Sequence, residues 1–178
     1  MKLNIGCADV LLPGWTNIDI NPRPDVMQHD ARSRFPINDN SVSFIFSEHF
    51  IEHLNEQGGK NFFMDCFRML KPGGVIRTAT FDIDDIMENC HSGEKWAIYK
   101  MWLYGGLFAH MTRIQFFNLA VHEGGNHKHM YNPDELIRFL KEAGFTQFNK
   151  PQMKESVFPE LQNLEYRCNS NCIVEAIK

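Results

Sequence analysis

The chain has 178 residues, of which 43% are hydrophobic and 22% are charged, with a formal net charge of -4 and a pI near 6.0. This acidic balance argues against a general nucleic-acid binder, whose domains carry a basic face and often have a pI above about 9. The length leaves no room for a second large core. Residues 1–178 are therefore expected to form a single domain.

Cysteine usage and apolar runs indicate the compartment. The five cysteines, Cys7, Cys66, Cys90, Cys168 and Cys172, are odd in number and contain no Cys-x-x-Cys pair, which argues against a disulfide framework or a zinc knuckle. No apolar run approaches the roughly 18 residues that a membrane span needs, and the N-terminus lacks the apolar core of a signal peptide. We therefore expect a cytoplasmic protein without a membrane span.

The first thirty residues carry the most informative pattern. Gly6 directly follows the short apolar strand Leu3–Ile5, and the acidic residues Asp19 and Asp30 lie at the ends of two further strand-like runs. A glycine lets the backbone approach a ligand without a Cβ clash, and a carboxylate at the next strand end accepts the hydroxyls of a ribose. The pattern predicts a site for an adenosine-containing cofactor, with Asp30 or its neighbouring amide at the adenine edge.

Strands alternate with helices along the rest of the chain. The predicted strands are Leu3–Ile5, Thr16–Ile20, Val26–His29, Ser41–Phe46, Val75–Phe81, Phe145–Lys150 and Cys172–Ile177. The predicted helices cover Gly59–Leu70, most of 83–121, and the stretch from Pro133 to Ala143, which Asn132 caps and Gly144 ends. This alternation is typical of an open, mostly parallel sheet, and the late strand pair suggests an antiparallel edge strand. We expect an α/β, Rossmann-like fold.

Two connections depart from a regular α/β pattern. Only about ten residues, 6–15, separate the first two strands, fewer than a parallel crossover usually needs, so the first helix is expected to be a stub or an extended loop. Residues 83–130 are expected to form a helical insertion after strand five that contributes the lid and the substrate region, with the lid itself at 95–130. The aromatic-rich stripe in this insertion predicts a cover over the site or a homodimer contact. Its members are Trp96, Tyr99, Met101, Trp102, Tyr104, Phe108 and Met111.

Five blocks of sequence occur in a fixed order. They are Leu3-Asn4-Ile5-Gly6-Cys7-Ala8, Gly14-Trp15-Thr16-Asn17-Ile18-Asp19, the stretch from Phe35 to Ile45, Ser47-Glu48-His49-Phe50-Ile51-Glu52-His53-Leu54, and Arg68-Met69-Leu70-Lys71-Pro72-Gly73-Gly74. In this order the blocks resemble the class I S-adenosylmethionine-dependent methyltransferases, especially the small methyltransferase-11-like group. A weaker similarity covers residues 131–145.

The resemblance implies a cofactor, S-adenosylmethionine, with S-adenosylhomocysteine as product. It implies that Gly6 and its neighbours lie beneath the methionine part, that Asp19 accepts the ribose hydroxyls, and that Asp30 with the Ala31 amide contacts adenine. Residues at the end of strand four would border the methyl group. The implied cofactor-binding residues are Asn4, Gly6, Cys7, Ala8, Asp19, Asp30, Ala31, Ser47, Glu48 and His49.

The catalytic candidates are residues able to take a proton. Methyl transfer mainly requires alignment of the nucleophile in a dry site, and a weakly acidic alcohol also benefits from a base. His49, His127 and Asp82 are the candidates, because each is expected at the carboxyl edge of the sheet or in a nearby loop. A structural role remains open for His49, and a solvent-exposed loop position remains open for His127.

Two groups of histidines have the spacing of metal ligands. His49 and His53 are four residues apart with Glu52 between them, but the stretch lacks the zinc-protease motif. The second group consists of His122, Glu123, His127 and His129. We interpret His53 as a structural histidine and the second group as a polar loop, so no resident metal is predicted.

The sequence therefore predicts an enzyme that transfers a methyl group to oxygen or nitrogen of a small-molecule or glycan-type acceptor. Two alternatives stay open: a non-catalytic S-adenosylmethionine-binding or assembly subunit, and an RNA or protein methyltransferase. The lack of an aromatic and basic patch counts against RNA, and no nucleic-acid partner is expected. A nicotinamide dehydrogenase is disfavoured because Gly-x-Gly-x-x-Gly is absent.

Overall fold

A computed structural model describes residues 1–91 and 110–178, and its centre is a seven-stranded sheet. The strands are β1 Lys2–Ile5, β2 Thr16–Asp19, β3 Val26–Gln28, β4 Val42–Glu48, β5 Leu70–Thr80, β6 Gln147–Asn149 and β7 Cys172–Ile177. Their spatial order is β3-β2-β1-β4-β5-β7-β6. The pairs from β3 to β5 are parallel, and β7 is antiparallel to both β5 and β6. The predicted fold class is confirmed; the antiparallel strand lies one place inside the edge.

Four α-helices occur in the described ranges. They are α1 Glu56–Met69, α2 Ile83–His91, α3 Arg113–His122 and α4 Pro133–Ala143. In α1 the Asn55 side chain accepts the Gly58 N–H as a cap, and apolar residues at helical spacing, Phe62, Phe63 and Cys66 among them, face the core. The strand after α1 begins at Leu70, earlier than the predicted Val75, because Leu70 already pairs with β4.

Helix α4 begins and ends at the predicted signals. The Asn132 side chain accepts the Glu135 N–H, Pro133 occupies the first turn, and Gly144 closes the helix with φ of 111° in the left-handed region. The buried face includes Phe139, whose ring meets Phe63 of α1 edge-on at 6.4 Å between centroids. Capping chemistry therefore predicted this element correctly.

The connection between β1 and β2 contains no helix, as the short spacing predicted. Residues 6–15 form turns and loop instead. Gly6 has φ of 70°, and a Cβ at this position would lie 2.5 Å from the ring of Phe50. The segment after β4 therefore lies directly against the turn after β1, and only glycine fits between them.

A buried ion-pair network attaches residues 150–171, which connect β6 to β7, to the middle of the sheet. Arg77 of β5 is fully buried and donates to Glu165 at 2.5 Å and to Glu175 of β7 at 2.7 Å. Its guanidinium also donates to the backbone carbonyl of Glu155. This arrangement holds an otherwise irregular segment in one position beside the carboxyl ends of the parallel strands.

The two flanks of the predicted helical insertion are helical: α2 and α3 enclose a small core that includes Phe81 and Phe116. Residues 92–109, with most of the predicted aromatic stripe and part of the predicted lid, lie outside the described residues. The lid and the homodimer contact stay predictions. No helix in the described ranges is long and apolar enough to cross a membrane.

Candidate functional site

A cavity of about 400 Å³ opens at the carboxyl ends of the parallel strands. Its volume lies in the range of about 300–1,000 Å³ that is typical of small-molecule sites. Six of the predicted site residues line it: Gly6, Ala8, Asp19, Asp30, Ala31 and His49. The structure therefore brings together residues that are far apart in the chain, as expected for ligand sites of open α/β sheets.

Asp19, the last residue of β2, binds the backbone of two residues that line the cavity, Ala8 and Asn21. One carboxylate oxygen accepts the Ala8 N–H at 3.0 Å, and the other accepts the Asn21 N–H at 2.9 Å. The Asn21 side-chain amide also donates to this second oxygen, at 3.2 Å. A carboxylate has about four acceptor sites, so these three bonds leave capacity for a hydroxyl donor of a ligand. Asp19 thereby connects the glycine turn to β2 and still presents an acceptor to the cavity.

Asp30 lines the cavity and pairs with Arg32. Its carboxylate accepts the Arg32 backbone N–H at 3.0 Å and the guanidinium at 2.6 Å. The Arg32 side chain is the main reason that the pKa of the Asp30 carboxyl is lowered to about 2. The carboxylate is therefore ionised at neutral pH, and a ligand donor would share it with the guanidinium.

Three other predicted cofactor residues support the cavity from behind. Asn4 donates its amide to the Val10 carbonyl and to the Asn17 side chain, each at 2.9 Å, and so fixes the loop between β1 and β2. Cys7 and Ser47 are buried, and burial raises the pKa of the Cys7 thiol. These three residues do not line the cavity, and their predicted contacts with the cofactor stay predictions.

Glu48 anchors the segment that precedes β7. Its carboxylate accepts the backbone N–H groups of Tyr166 and Arg167, both at 3.0 Å, and the Ser170 hydroxyl. The Glu48 side chain therefore binds this segment and does not line the cavity, whereas the sequence predicted that it borders the methyl group. The consequence is that Arg167 reaches the cavity wall. No sequence motif marks Arg167.

His49 has the geometry of an oriented base. It follows β4 directly with φ of 47°, and its Nδ1 lies 3.0 Å from Oε1 of Glu52, a side chain that is 1% exposed. Burial alone raises the pKa of the Glu52 carboxyl, but His49 outweighs it by hydrogen bonding and charge, so the pKa is lowered. The ionised Glu52 holds the proton on Nδ1, which leaves Nε2 as an acceptor. Nε2 is buried and has no partner among the residues described.

Phe50 and His53, two residues of the Ser47–Leu54 block without a predicted ligand role, also line the cavity. Phe50 covers Gly6 and stacks edge-on against Phe62 at 5.2 Å, and His53 forms part of the wall. The signal for His53 was present, since it lies four residues after His49. His53 ends the short 3₁₀ helix Ile51–His53, and both imidazoles line the same cavity.

The other two catalytic candidates, His127 and Asp82, are not among the residues that line the cavity. His127 Nδ1 is 2.7 Å from the Ala120 carbonyl oxygen, and its ring is 5.2 Å from that of His53. Asp82 caps α2, because its carboxylate accepts the Asp84 N–H at 3.0 Å, and burial raises the pKa of its carboxyl. Catalytic roles for His127 and Asp82 stay predictions.

The predicted grouping of loop histidines is not what the structure forms. His129 turns to α4 and contacts Glu135 at 2.8 Å, whereas His127 turns to the 3₁₀ helix after β4. The Glu123 carboxylate lies 3.3 Å from Nε2 of His127, and the His127 backbone N–H donates to the His122 carbonyl. Residues 126–132 form no strand or helix, so their side chains point to different neighbours.

The strand order, the glycine turn after β1 and the carboxylate at the end of β2 facing one cavity define the fold of the class I S-adenosylmethionine-dependent methyltransferases. A family model described as a methyltransferase domain matches residues 14–78. A protein of Mycolicibacterium smegmatis, described as a probable S-adenosylmethionine-dependent methyltransferase, is 39% identical over 59 residues, which are 33% of this chain and 22% of that protein. The chain thus spans less than a quarter of the length of this curated relative.

Several solved structures are similar over 99% of the chain, and two of them illustrate the match. One is an S-adenosylmethionine-dependent methyltransferase of Thermotoga maritima, described as a possible histamine N-methyltransferase, with a TM-score of 0.58, 16% identity and 81% of its own length covered. The other, from Archaeoglobus fulgidus, has a TM-score of 0.55, 16% identity and 85% covered. These findings confirm the predicted fold. The family model and the curated relative support the predicted methyltransferase class, whose cofactor is S-adenosylmethionine.

Proposed function

We propose that this chain binds S-adenosylmethionine in the cavity at the strand ends and catalyses methyl transfer to oxygen or nitrogen of a small acceptor. The observation that carries the proposal is the juxtaposition of an acceptor-rich wall, Asp19 and Asp30, with the buried, unpartnered Nε2 of His49. One part of the cavity suits a nucleoside, and the other offers a base.

The residues present fit the cofactor. Asp19 has acceptor capacity for ribose hydroxyls, Asp30 with Ala31 offers an edge for adenine, and the turn from Gly6 to Ala8 provides a close backbone surface for the methionine part. When bound, S-adenosylmethionine supplies an electrophilic methyl group on a sulfonium. The protein then has to position the acceptor and accept its proton.

His49 performs the proton step in this proposal. Glu52 fixes the tautomer by accepting the Nδ1 proton, so Nε2 takes the proton of the acceptor O–H or N–H as the new bond to the methyl group forms. Glu52 is a positioning residue, because it acts through His49. The ring of Phe81, 6.0 Å from that of His49, supplies an apolar side to this region.

The acceptor is proposed to be small, of the O- or N-nucleophile type found in metabolites or glycans. The cavity has to hold the cofactor and the acceptor together within about 400 Å³, which favours a compact molecule. Two guanidinium-bearing residues, Arg32 and Arg167, line the same cavity. Because Arg32 already forms an ion pair with Asp30, we propose that Arg167 binds an anionic or oxygen-rich acceptor. Histamine, from the description of the T. maritima neighbour, is a reasonable first amine to screen.

The first test is titration calorimetry with S-adenosylmethionine and S-adenosylhomocysteine. We expect micromolar binding to the wild type and about 10–100-fold weaker binding to Asp19→Ala, because hydrogen bonds to a charged group contribute about 1.5–3 kcal/mol. Asp9→Ala is the matched control, since Asp9 lies in the same loop and its side chain is 89% exposed. Equal affinity of the Asp19→Ala and wild-type proteins would reject the site.

The second test measures turnover on a panel of alcohols, amines and sugars with His49→Gln. Loss of a general base typically lowers the rate by about 10²–10⁴-fold, and we expect this loss in kcat with a much smaller change in cofactor affinity. Full activity of His49→Gln would reject the proposed base. Cofactor binding without turnover on any acceptor would instead favour the non-catalytic cofactor-binding subunit.

A further inference from the structure

Beside the cavity, three side chains with metal-ligand chemistry converge from two distant parts of the chain. Glu52 and His53 lie on the 3₁₀ helix after β4, and His127 lies on the segment after α3. One potential ligand atom from each residue lies within 4.8 Å of those of the other two. The proposed methyl transfer uses only Oε1 of Glu52 and leaves His127 without an assigned function.

Backbone hydrogen bonds fix this convergence. The carbonyl oxygen of Glu52 accepts the N–H of Lys128 at 2.7 Å and that of His129 at 3.3 Å. The segment bearing His127 is therefore joined to the 3₁₀ helix at the residue that carries the carboxylate. The two imidazoles, His53 and His127, are held with their centroids 5.2 Å apart.

Both imidazoles are oriented as metal-binding histidines usually are. Nδ1 of His127 lies 2.7 Å from the Ala120 carbonyl oxygen, and Nδ1 of His53 lies 3.4 Å from that of Asn126. A carbonyl oxygen only accepts, so each Nδ1 carries the proton and donates it. A backbone carbonyl on Nδ1 is the common outer partner of a metal-bound histidine, and it leaves Nε2 as the potential ligand atom. Nε2 of His127 lies 3.3 Å from Oε2 of Glu123, whose half-exposed side chain has to turn away from Nε2 when an ion binds.

The carboxylate of Glu52 is incomplete without a further partner. Oε1 is engaged by His49, but Oε2 is buried and has no hydrogen-bond partner in the described ranges. A buried charged oxygen is costly unless it is paired or coordinates a metal. This orphaned atom is independent of the histidine geometry, and it also indicates a missing cation.

We propose that Glu52, His53 and His127 bind a divalent transition-metal ion of the zinc type. Two imidazoles and one carboxylate suit Zn²⁺ and similar first-row ions, whereas Mg²⁺ and Ca²⁺ prefer oxygen ligands throughout. Three protein ligands leave one position of a tetrahedral ion open. His53 also lines the cavity, so an ion bound here adjoins the compartment of the proposed reaction.

The test uses the untagged full chain, stripped of metal with a chelator and then titrated with Co²⁺ and Zn²⁺. We expect one Co²⁺ per chain with visible absorption bands of a nitrogen- and oxygen-ligated ion, which stoichiometric Zn²⁺ removes. No S-adenosylmethionine is present, so the result does not depend on methyl transfer. The absence of Co²⁺ and Zn²⁺ binding by the wild type at millimolar metal would overturn the proposal.

Variants locate the ion. Glu52→Gln and His127→Gln should each weaken Co²⁺ binding by about 100-fold or more, because even the loss of an outer-shell partner costs about 10–100-fold. His129→Gln is the matched control, since it lies on the same segment but its imidazole contacts Glu135. His53→Gln is a further variant at an exposed position, useful if the buried Glu52→Gln fails to fold. Unchanged affinity and spectrum in His53→Gln and His127→Gln would place the ion elsewhere and reject the site.

Discussion

At the scale of single residues, the missing side chain of Gly6 lets Phe50 pack against the turn after β1. The φ of 70° at Gly6 favours glycine, and an added Cβ would lie 2.5 Å from Phe50. Left-handed backbone costs an L-residue about 1–2 kcal/mol, and the collision adds to this. We expect Gly6→Ala to lower the free energy of unfolding by more than about 2 kcal/mol in urea denaturation.

Gly73→Ala separates the two contributions to this effect. Gly73 has φ of 76°, and a Cβ there would meet nothing within 4 Å, so its substitution measures the backbone term alone. The difference between the two variants is then the collision with Phe50. If Gly6→Ala and Gly73→Ala lower the unfolding free energy equally, Phe50 does not lie this close to the turn.

At the scale of elements, α4 carries an ion-pair cluster that makes its stability depend on pH. Glu135 accepts from Arg138 at 2.7 Å and from His129 at 2.8 Å. Hydrogen bonding to Arg138 is the main reason that the pKa of the Glu135 carboxyl is lowered to about 2, from an ordinary value of 4.5. A lowered folded-state pKa gives stability that is present above about pH 4.5 and is lost as pH falls toward 2.

Glu135→Gln should therefore destabilise the protein by about 1 kcal/mol at pH 7, a value reduced for solvent screening at this partly exposed site. The difference from wild type should shrink as pH falls from 4.5 to 2, as followed by thermal unfolding at each pH. Glu142→Gln, at a more exposed partner of the same Arg138, serves as control and should have the smaller effect. A pH-independent difference for Glu135→Gln would contradict the argument.

The elements also show what the sequence can and cannot predict. Helix α4 was placed to the residue by Asn132 and Gly144, because capping and helix termination act between near neighbours. The absence of a helix between β1 and β2 was predicted from the small number of residues between these strands. In contrast, the pairing of Leu70 with β4 and the contact of His127 with the 3₁₀ helix depend on tertiary packing, which local patterns do not encode.

The same distinction applies to the site. Gly6, Asp19 and Asp30 were predicted because they end strands, and strand ends share one edge of a parallel sheet. Arg167 was missed because it reaches the cavity only through Glu48, which lies 119 residues away in sequence. Contacts of this range become visible only after the sheet order is known.

At the scale of the whole molecule, the buried cluster around Arg77 connects the sheet to residues 150–171 and, through them, to the cavity. Arg77, Glu165 and Glu175 are all buried, and the arginine pairs with both carboxylates. Removal of one member of a buried pair typically costs about 3–5 kcal/mol, because an uncompensated charge remains. Arg77→Met should therefore lower the unfolding free energy by about this amount. It should also remove the hydrogen bonds that attach the segment bearing Arg167 to the sheet.

Replacing all three members distinguishes charge burial from packing. In Arg77→Met combined with Glu165→Gln and Glu175→Gln, no unpaired charge remains, so most of the lost stability should return, since neutral replacements of buried ion pairs are often tolerated. Urea denaturation measures stability, and limited proteolysis between 150 and 171 reports whether the segment is released. Recovery of stability with continued cleavage would mean that the network serves mainly to position the segment. If the triple variant is no more stable than Arg77→Met, the cost lies in lost packing, and electrostatic pairing is not what joins this segment to the sheet.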